Sequence, residues 1–327
     1  MRLLATDNGG QVDTQRSIAD IGALLERQSG FLWLDLTGGD IENGYESLLT
    51  QVFGFHPLAV DDALNEIHVP KLDDWGSYLY LVFQDVAYDQ NERVLALPEL
   101  DVFLGEQYLL TYHLEDITAV NRTWAACQRD TRWLQHGADH LLYHLLDEMA
   151  NDYAQVIGQI EDEMAQLENN MFTHPTPELL EMLFDYRQIA LRLRKALAPQ
   201  REVINKLSRD TFSMIGPKDQ LFYRDVYDHM LRLHDTSESM RDLAMSGLDI
   251  YLSVVNNRMN DIMKTLTIIT TLFMPLSFLT GFFGMNFFEA TMPSSPWTGP
   301  AALIVALLSM VAVPAIMFWW MRRRAWM

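Results

Sequence analysis

Hydrophobic and polar positions change rhythm twice along the chain. Up to about residue 115, short apolar runs are separated by polar turns. FLWLDL (31–36), YLYLVFQDV (78–86), LDVFLGE (100–106) and YLLTYHL (108–114) are rich in aromatic and branched residues and predict strands. FHPLAVDDALN (55–65) carries helical spacing with an acidic cluster inside it. Residues 1–115 are therefore expected to form a small α/β domain. Over 116–218 the strand signal vanishes. DITAVNRTWAACQRDTRWL predicts one helix, and ADHLLYHLLDEMANDYAQVIGQIEDEMAQLENNMF predicts a second of about nine or ten turns, ended by THPTPE. A third, ELLEMLFDYRQIALRLRKALAPQREVINKL, contains Pro199, where a bend is expected.

The last helix is the unusual one. No proline interrupts 219–274, and helical apolar spacing continues from a polar stretch (219–264) straight into an apolar one. About 55 residues at 1.5 Å each give about 80 Å of helix. No small domain can bury that length, so it must pack as a stalk against copies of itself or against the preceding helices. From Thr265 to Met321 the sole charged residue is Glu289. It separates two stretches, 265–288 and 298–320, each long enough to cross a bilayer, for which about 20 residues are needed. Two such stretches in succession predict a transmembrane hairpin, joined by a loop at 289–297 and followed by a basic tail at 321–327.

Basic residues orient the hairpin. Arg258 and Lys264 precede the first span, Arg322, Arg323 and Arg324 follow the second, and FFEATMPSSPWTGP between them has no Lys or Arg. Both termini are thus expected in the cytoplasm, with the protein in the inner membrane. Trp297 at one boundary and Trp319, Trp320 and Trp326 at the other suit interfacial belts. MRLLATDNGGQVDTQR lacks an apolar core and a cleavage site, so no secretory signal is expected there.

One face of the long helix reads Asn260, Met263, Thr267, Thr270, Met274, Ser277, Gly281, Gly284, in alternating steps of three and four. Ile268, Ile269, Leu272, Phe273, Leu276 and Leu279 lie opposite. Small and hydroxylic residues line tightly packed membrane helices, and they equally line a water-accessible pore formed by several copies of one helix. Periodicity alone leaves both open. The face holds no ionisable group, thiolate or imidazole, so no proton relay is visible there and a soft metal is disfavoured. Neutral oxygens remain, from Asn260 and Asn286 amides, hydroxyls and backbone carbonyls. They suit a hard cation that keeps its water, as Mg2+ does. A ring of Asn286 amides would accept hydrogen bonds from that water, and Glu289 just outside would raise the local cation concentration.

Charge narrows the function further. The chain carries a formal −20; residues 1–264 hold 21 basic and 43 acidic residues, a net −22. That excludes a nucleic-acid surface and a polybasic lipid binder. Acidic surplus attracts cations, although solubility alone accounts for it equally well. A single cysteine, Cys127, excludes an intrachain disulfide and a cysteine-based zinc site. LTGGDIENG lacks the Gly-Lys-Ser/Thr ending of a phosphate loop, so no nucleotide is expected.

KTLTIITTLFMPLSFLTGFFGMNF resembles the first membrane helix and Gly-Met-Asn signature of the CorA family of magnesium/cobalt transporters. FHPLAVDDAL, VPKLDDWGSYLYLVF, YRDVYDH and the basic, Trp-containing tail fit the same family, and the likeness covers nearly the whole chain. The resemblance implies an α+β chain: a cytoplasmic α/β/α domain, a funnel of long helices and a two-helix membrane hairpin, assembled as a homopentamer whose first membrane helix lines the pore. It implies influx of Mg2+, with Co2+ and Ni2+, through that pore, gated by intracellular divalent cations. Gly284, Met285 and Asn286 would form the outer cation site, with Asn260, Met263, Leu266, Thr270, Met274 and Ser277 along the path. Leu266 lies off the seam read from periodicity. Met263, Leu266 and Met274 would form a hydrophobic constriction that gates by dewetting. Carboxylates between neighbouring subunits would sense internal Mg2+: Asp89 in VAYDQ and Asp225 in YRDVYDH, with Asp147, Asp228 and His229 as further candidates. No permanently bound cofactor and no enzymatic chemistry are expected; the partners are copies of the chain, the bilayer and divalent cations.

Two rivals stand beside this reading. The family's zinc branch, typified by ZntB, often replaces the middle residue of the Gly-Met-Asn signature, which Met285 retains. A non-conducting, membrane-anchored coiled-coil scaffold would explain the stalk and anchor but not the polar seam. His140, His144 and Asp147, at i, i+4 and i+7, share one helical face. They suit a transition metal, or simply an ordinary helix surface.

Overall fold

The structure, a computed structural model, describes residues 1–6, 12–13, 21–22, 30–39, 44–65, 67–284 and 300–324. The expectations for Met285, Asn286 and Glu289 lie outside the described residues. The chain divides into two compact units, 1–248 and 249–327.

Unit one is built on a seven-stranded sheet of order β2-β1-β3-β9-β8-β5-β4. Its strands are β1 (Arg2–Thr6), β2 (Val12–Asp13), β3 (Phe31–Thr37), β4 (Lys71–Asp74), β5 (Leu79–Gln84), β8 (Glu99–Leu104) and β9 (Tyr108–His113). β3 and β9 pair parallel, and the other described neighbours pair antiparallel. β6 (Ala87–Asp89) and β7 (Val94–Ala96) form a separate hairpin. The four apolar runs read from the sequence are β3, β5, β8 and β9. Each is buried almost throughout, as strands covered on both faces must be.

The period of two sorts β3 onto both layers. Leu32, Leu34 and Leu36 point into a core with Phe55, Tyr80, Phe103 and Tyr112, capped by a short helical segment at 45–52 and by α1 (Pro57–Asn65). Trp33 and Asp35 point the other way, toward α2 (Thr118–Arg129), α3 (Ala138–Thr173) and α4 (Pro177–Arg209). Trp33 packs on Trp124 of α2 with ring centroids 4.8 Å apart. Register then fixes a buried polar network, because Asp35 lies opposite Arg2 on β1 and Thr111 on β9. Arg2 Nε donates to Asp35 Oδ2 (2.7 Å), Thr111 Oγ1 donates to Oδ1 (2.5 Å), and Trp33 Nε1 donates to Thr111 Oγ1 (3.2 Å). Burial alone would raise the Asp35 carboxyl. Hydrogen bonding and charge from His113, with Thr111 and Arg2, hold it below the usual carboxylate range instead.

The expected helix at 116–134 is two pieces. α2 stops at Arg129, and Asp130, in extended backbone, accepts from the Arg132 N–H to start a 3-10 turn at Thr131–Gln135. Short side chains such as Asp compete with helix for their own backbone, and that local bond breaks the run. α4 continues as one helix through Pro199.

Asp85, between β5 and β6, is 2% exposed, and its Oδ1 has no hydrogen-bond partner among the described residues. Burial is the main cause that pushes its carboxyl up to about 7, with Asp152 adding to it and backbone N–H groups and Arg122 opposing. A folded-state value above the unfolded one makes the stability from this group fully present below about 4 and lost as pH rises through about 7. Asp85→Asn is expected to stabilise unit one by about 2–3 kcal/mol more at pH 8 than at pH 5. Denaturant titrations at the two pH values check this; an equal shift at both would refute it.

Unit two holds the end of α5 (Gln220–Phe283) and all of α6 (Pro300–Arg323). Both helices contain stretches long and apolar enough to cross a membrane. The apolar stretch of α5 continues through Pro275 to Phe283. At the end of α6, Arg323 and Arg324 lie over the rings of Trp319 and Trp320 at 5.3 and 5.8 Å, cation–π contacts suited to a membrane boundary.

Candidate functional site

The seam on α5 is open along its length. Asn260, Met263, Thr267, Thr270, Met274, Ser277, Gly281 and Gly284 are all exposed, and so is Leu266. Met263 and Leu266 are each 55% exposed and Met274 68%, although their thioether and alkyl groups gain by leaving water. Across the helix, Ile268, Leu272, Leu276 and Leu279 are half-buried. A single chain thus covers part of the aliphatic side and leaves the mixed seam bare.

Hydroxyl geometry gives the seam its chemistry. Thr267 Oγ1 donates to Met263 O (2.7 Å) and Thr270 Oγ1 to Leu266 O (2.8 Å). Each hydroxyl hydrogen is engaged by the helix's own backbone. What the oxygens present outward is lone pairs, which accept from a cation's water or touch the cation itself. At the end of the described helix, a Cβ on Gly284 would stand 2.9 Å from Thr280 O, so the backbone there closes as it does only with glycine.

The carboxylates expected to sense cations fall into two places in unit one. Asp147 on α3 is half-buried and faces α5: burial raises its carboxyl, His229 opposes that, and the charges of Glu148 and Asp225 add to it. The structure therefore brings Asp147, Asp225 and His229 into one neighbourhood, with Asp225 exposed. Asp228 is exposed on the same helix. Asp89 stands on β6, exposed, and no described hydrogen bond or ion pair joins it to that group. Its Oδ1 accepts from the N–H groups of Asn91 (2.8 Å) and Glu92 (3.2 Å), so the same carboxylate caps the β6–β7 turn.

His140, His144 and Asp147 do not form one cluster. Asp147 lies within the electrostatic reach of His229 and Asp225, while His140 Nδ1 lies 2.8 Å from Asp219 Oδ1, just before α5. His136 places its ring centroid 4.9 Å from that of His140. Among the described residues no group of three or more His, Cys, Asp or Glu has the arrangement to hold a metal ion. Sequence periodicity could reach the i, i+4 histidine pair but not Asp219, 79 residues along the chain; a His and an Asp flanking two helix starts were the sole available signals.

Residues 28–323 match the family described as CorA-like Mg2+ transporter protein. The chain is 33% identical over 297 residues to a cobalt/magnesium transport protein CorA of Thermotoga maritima, covering 90% of this chain and 83% of that one. It is 22% identical over 273 residues to a zinc transport protein ZntB of Yersinia pseudotuberculosis, covering 83% and 81%. Its fold is similar to the complete structure of a CorA magnesium transporter from Methanocaldococcus jannaschii, with TM-score 0.80 and 24% identity, covering 100% of this chain and 99% of that one.

Proposed function

The chain belongs to the CorA-like Mg2+ transporter family, and from that premise we propose that it carries divalent cations, Mg2+ foremost and Co2+ with it, into the cell through a pore lined by copies of α5. The observation that carries this reading is the exposed seam from Asn260 to Gly284, on which the hydroxyl hydrogens of Thr267 and Thr270 are engaged by the helix backbone, leaving their oxygen lone pairs as acceptors. Five copies around an axis bring the seams together. Gly284, Met285 and Asn286 form the outer site, a ring of amides that holds the hydrated ion, and Glu289 gathers cations in front of it. Met263, Leu266 and Met274 form the dry constriction, between the polar positions Asn260, Thr270 and Ser277. The pore sits in the inner membrane with both termini in the cytoplasm, oriented by the arginines after α6.

The division of labour follows the chain: 1–115 and 116–218 form the cytoplasmic body, 219–264 the stalk, 265–288 and 298–320 the spans, 289–297 the outer loop and 321–327 the inner tail. Moving a divalent ion through 100 mV is worth about 4.6 kcal/mol, enough to sustain an inward gradient of about three decades. No nucleotide and no bound cofactor is required.

Zinc as principal cargo is the weaker reading: the cobalt/magnesium relative is 33% identical against 22% for the zinc one. The deciding experiment is uptake into liposomes holding the purified protein, Mg2+ against Zn2+, at equal and unequal pH. Mg2+ entry indifferent to the pH gradient is expected; Zn2+ entry quickened by inward protons, without Mg2+ entry, would overturn the reading.

Closure by internal Mg2+ falls to Asp89 and Asp225 between neighbouring subunits, supported by Asp147, Asp228 and His229. Clustered carboxylates repel, a divalent ion cancels the repulsion, and its loss loosens the interface. Because Asp89 also caps its turn, asparagine is the right replacement: it keeps the capping oxygen and removes the charge. Asp89→Asn with Asp225→Asn is expected to raise the internal Mg2+ needed for half-closure by about tenfold, the effect of about 1.4 kcal/mol of lost binding. A magnesium titration of channel current reads it, and an unshifted midpoint would remove these residues from the sensor.

A further inference from the structure

Three histidines gather where α3 begins, and the carrier reading uses none of them. Gly137 turns the chain into α3, and His140 and His144 follow one turn apart. His140 Nδ1 lies 2.8 Å from Asp219 Oδ1, in a pocket where the two side chains are 13% and 17% exposed. A carboxylate accepts, so Nδ1 carries the hydrogen and the neutral ring presents a lone pair at Nε2. That Nε2 faces His144 Nε2 across 3.2 Å. Two nitrogens bound to one metal at about 2.0–2.1 Å stand about 2.9–3.3 Å apart for bond angles between square and tetrahedral. The observed gap is within that bite.

The surroundings hold this geometry. Asp219 N–H donates to Gly216 O (3.0 Å), and Gly216 N–H donates to Asp139 Oδ2 (2.9 Å), which pins the loop before α5 to the start of α3. Tyr223 Oη donates to Asp139 O (2.7 Å) from the other side of that loop. Trp133 lies against the His144 ring, centroids 4.0 Å apart, and Phe222 closes on His140 at 5.2 Å. A carboxylate behind one ligand imidazole is the usual support of a metal-bound histidine, fixing its tautomer and its aim.

We propose that His140 and His144 bind a transition-metal cation, Zn2+ or a similar borderline ion, through their two Nε2 atoms, with Asp219 positioning His140 from behind. Water completes the coordination. Two imidazoles select against Mg2+, which prefers oxygen and holds its water. The site is therefore chemically separate from the carboxylate sensor, and its existence does not depend on which ion the pore conducts.

The test uses full-length protein in detergent with excess Mg2+, so that oxygen sites are filled, titrated with Zn2+ by calorimetry. The result expected is one Zn2+ per chain that the double variant His140→Gln, His144→Gln loses, and that Asp219→Asn weakens by about 10–100-fold. Zinc-edge absorption of the wild-type complex should show two imidazole nitrogens at about 2.0 Å. Zinc binding unchanged in the double variant, or a first shell of oxygen alone in the wild type, overturns the proposal. If the double variant fails to fold, the absorption spectrum and Asp219→Asn decide. Unaltered Mg2+ uptake by a folded double variant would further separate this site from the pore.

Discussion

Asn286→Ala is expected to reduce Mg2+ uptake by two orders of magnitude or more while leaving assembly intact. The argument begins from hydration. Mg2+ sheds its water reluctantly, so an outer site that attracts it must accept hydrogen bonds from that water. A side-chain amide oxygen does this without a charge of its own, and alanine offers nothing. A hydrogen bond to a charged species is worth about 1.5–3 kcal/mol, and in the proposed ring the substitution deletes one in every copy at once. About 2.7 kcal/mol already corresponds to a hundredfold loss. The oligomer should elute unchanged on size exclusion while flux into liposomes collapses. Normal flux would remove Asn286 from the selectivity ring and return the seam to its packing reading.

Trp33→Ala should have the largest effect on stability, about 3–5 kcal/mol. Trp33 is fully buried on the interior strand β3, against Trp124 and beside the Arg2–Asp35–Thr111 network. Truncation leaves a ring-sized void between sheet and helices and removes the indole donor from Thr111. Thermal unfolding should fall by about 10 °C, given about 2–4 °C per kcal/mol for a domain of this size. Trp33→Phe keeps most of the ring contact and should cost about 1 kcal/mol, the worth of the lost hydrogen bond. A change in melting temperature under about 2 °C for Trp33→Ala would show that the helix layer collapses onto the sheet.

These cases show what a single sequence discloses. FLWLDL and YLLTYHL were legible as strands because burial on both faces demands unbroken apolar runs. KLDD in β4 and the three-residue β6 and β7 were not, because edge and hairpin strands need no such run. The seam on α5 was legible through its period, since the helix carries its own geometry. Leu266, which the resemblance adds to that path, sits beside the strict alternation of steps and is as exposed as Met263. Asp219 escaped for a different reason. Periodicity says which face of a helix is covered, and says nothing of which distant carboxylate arrives there.

The small β6–β7 hairpin carries a mechanical consequence. It does not pair with the main sheet; it is moored to the helices. Tyr88 Oη donates to Glu163 Oε2 on α3 (2.8 Å), Tyr186 Oη on α4 donates to the same oxygen (3.0 Å), and Arg93 Nε donates to Asp185 Oδ2 on α4 (3.2 Å). Asp89 therefore rides on an outrigger whose struts end on α3 and α4. Any sliding of those two helices past one another would swing the Asp89 carboxylate sideways while the sheet stayed still. Loss of the Glu163 carboxylate would cut two of these three struts and leave Arg93–Asp185 as the remaining one, without touching Asp89.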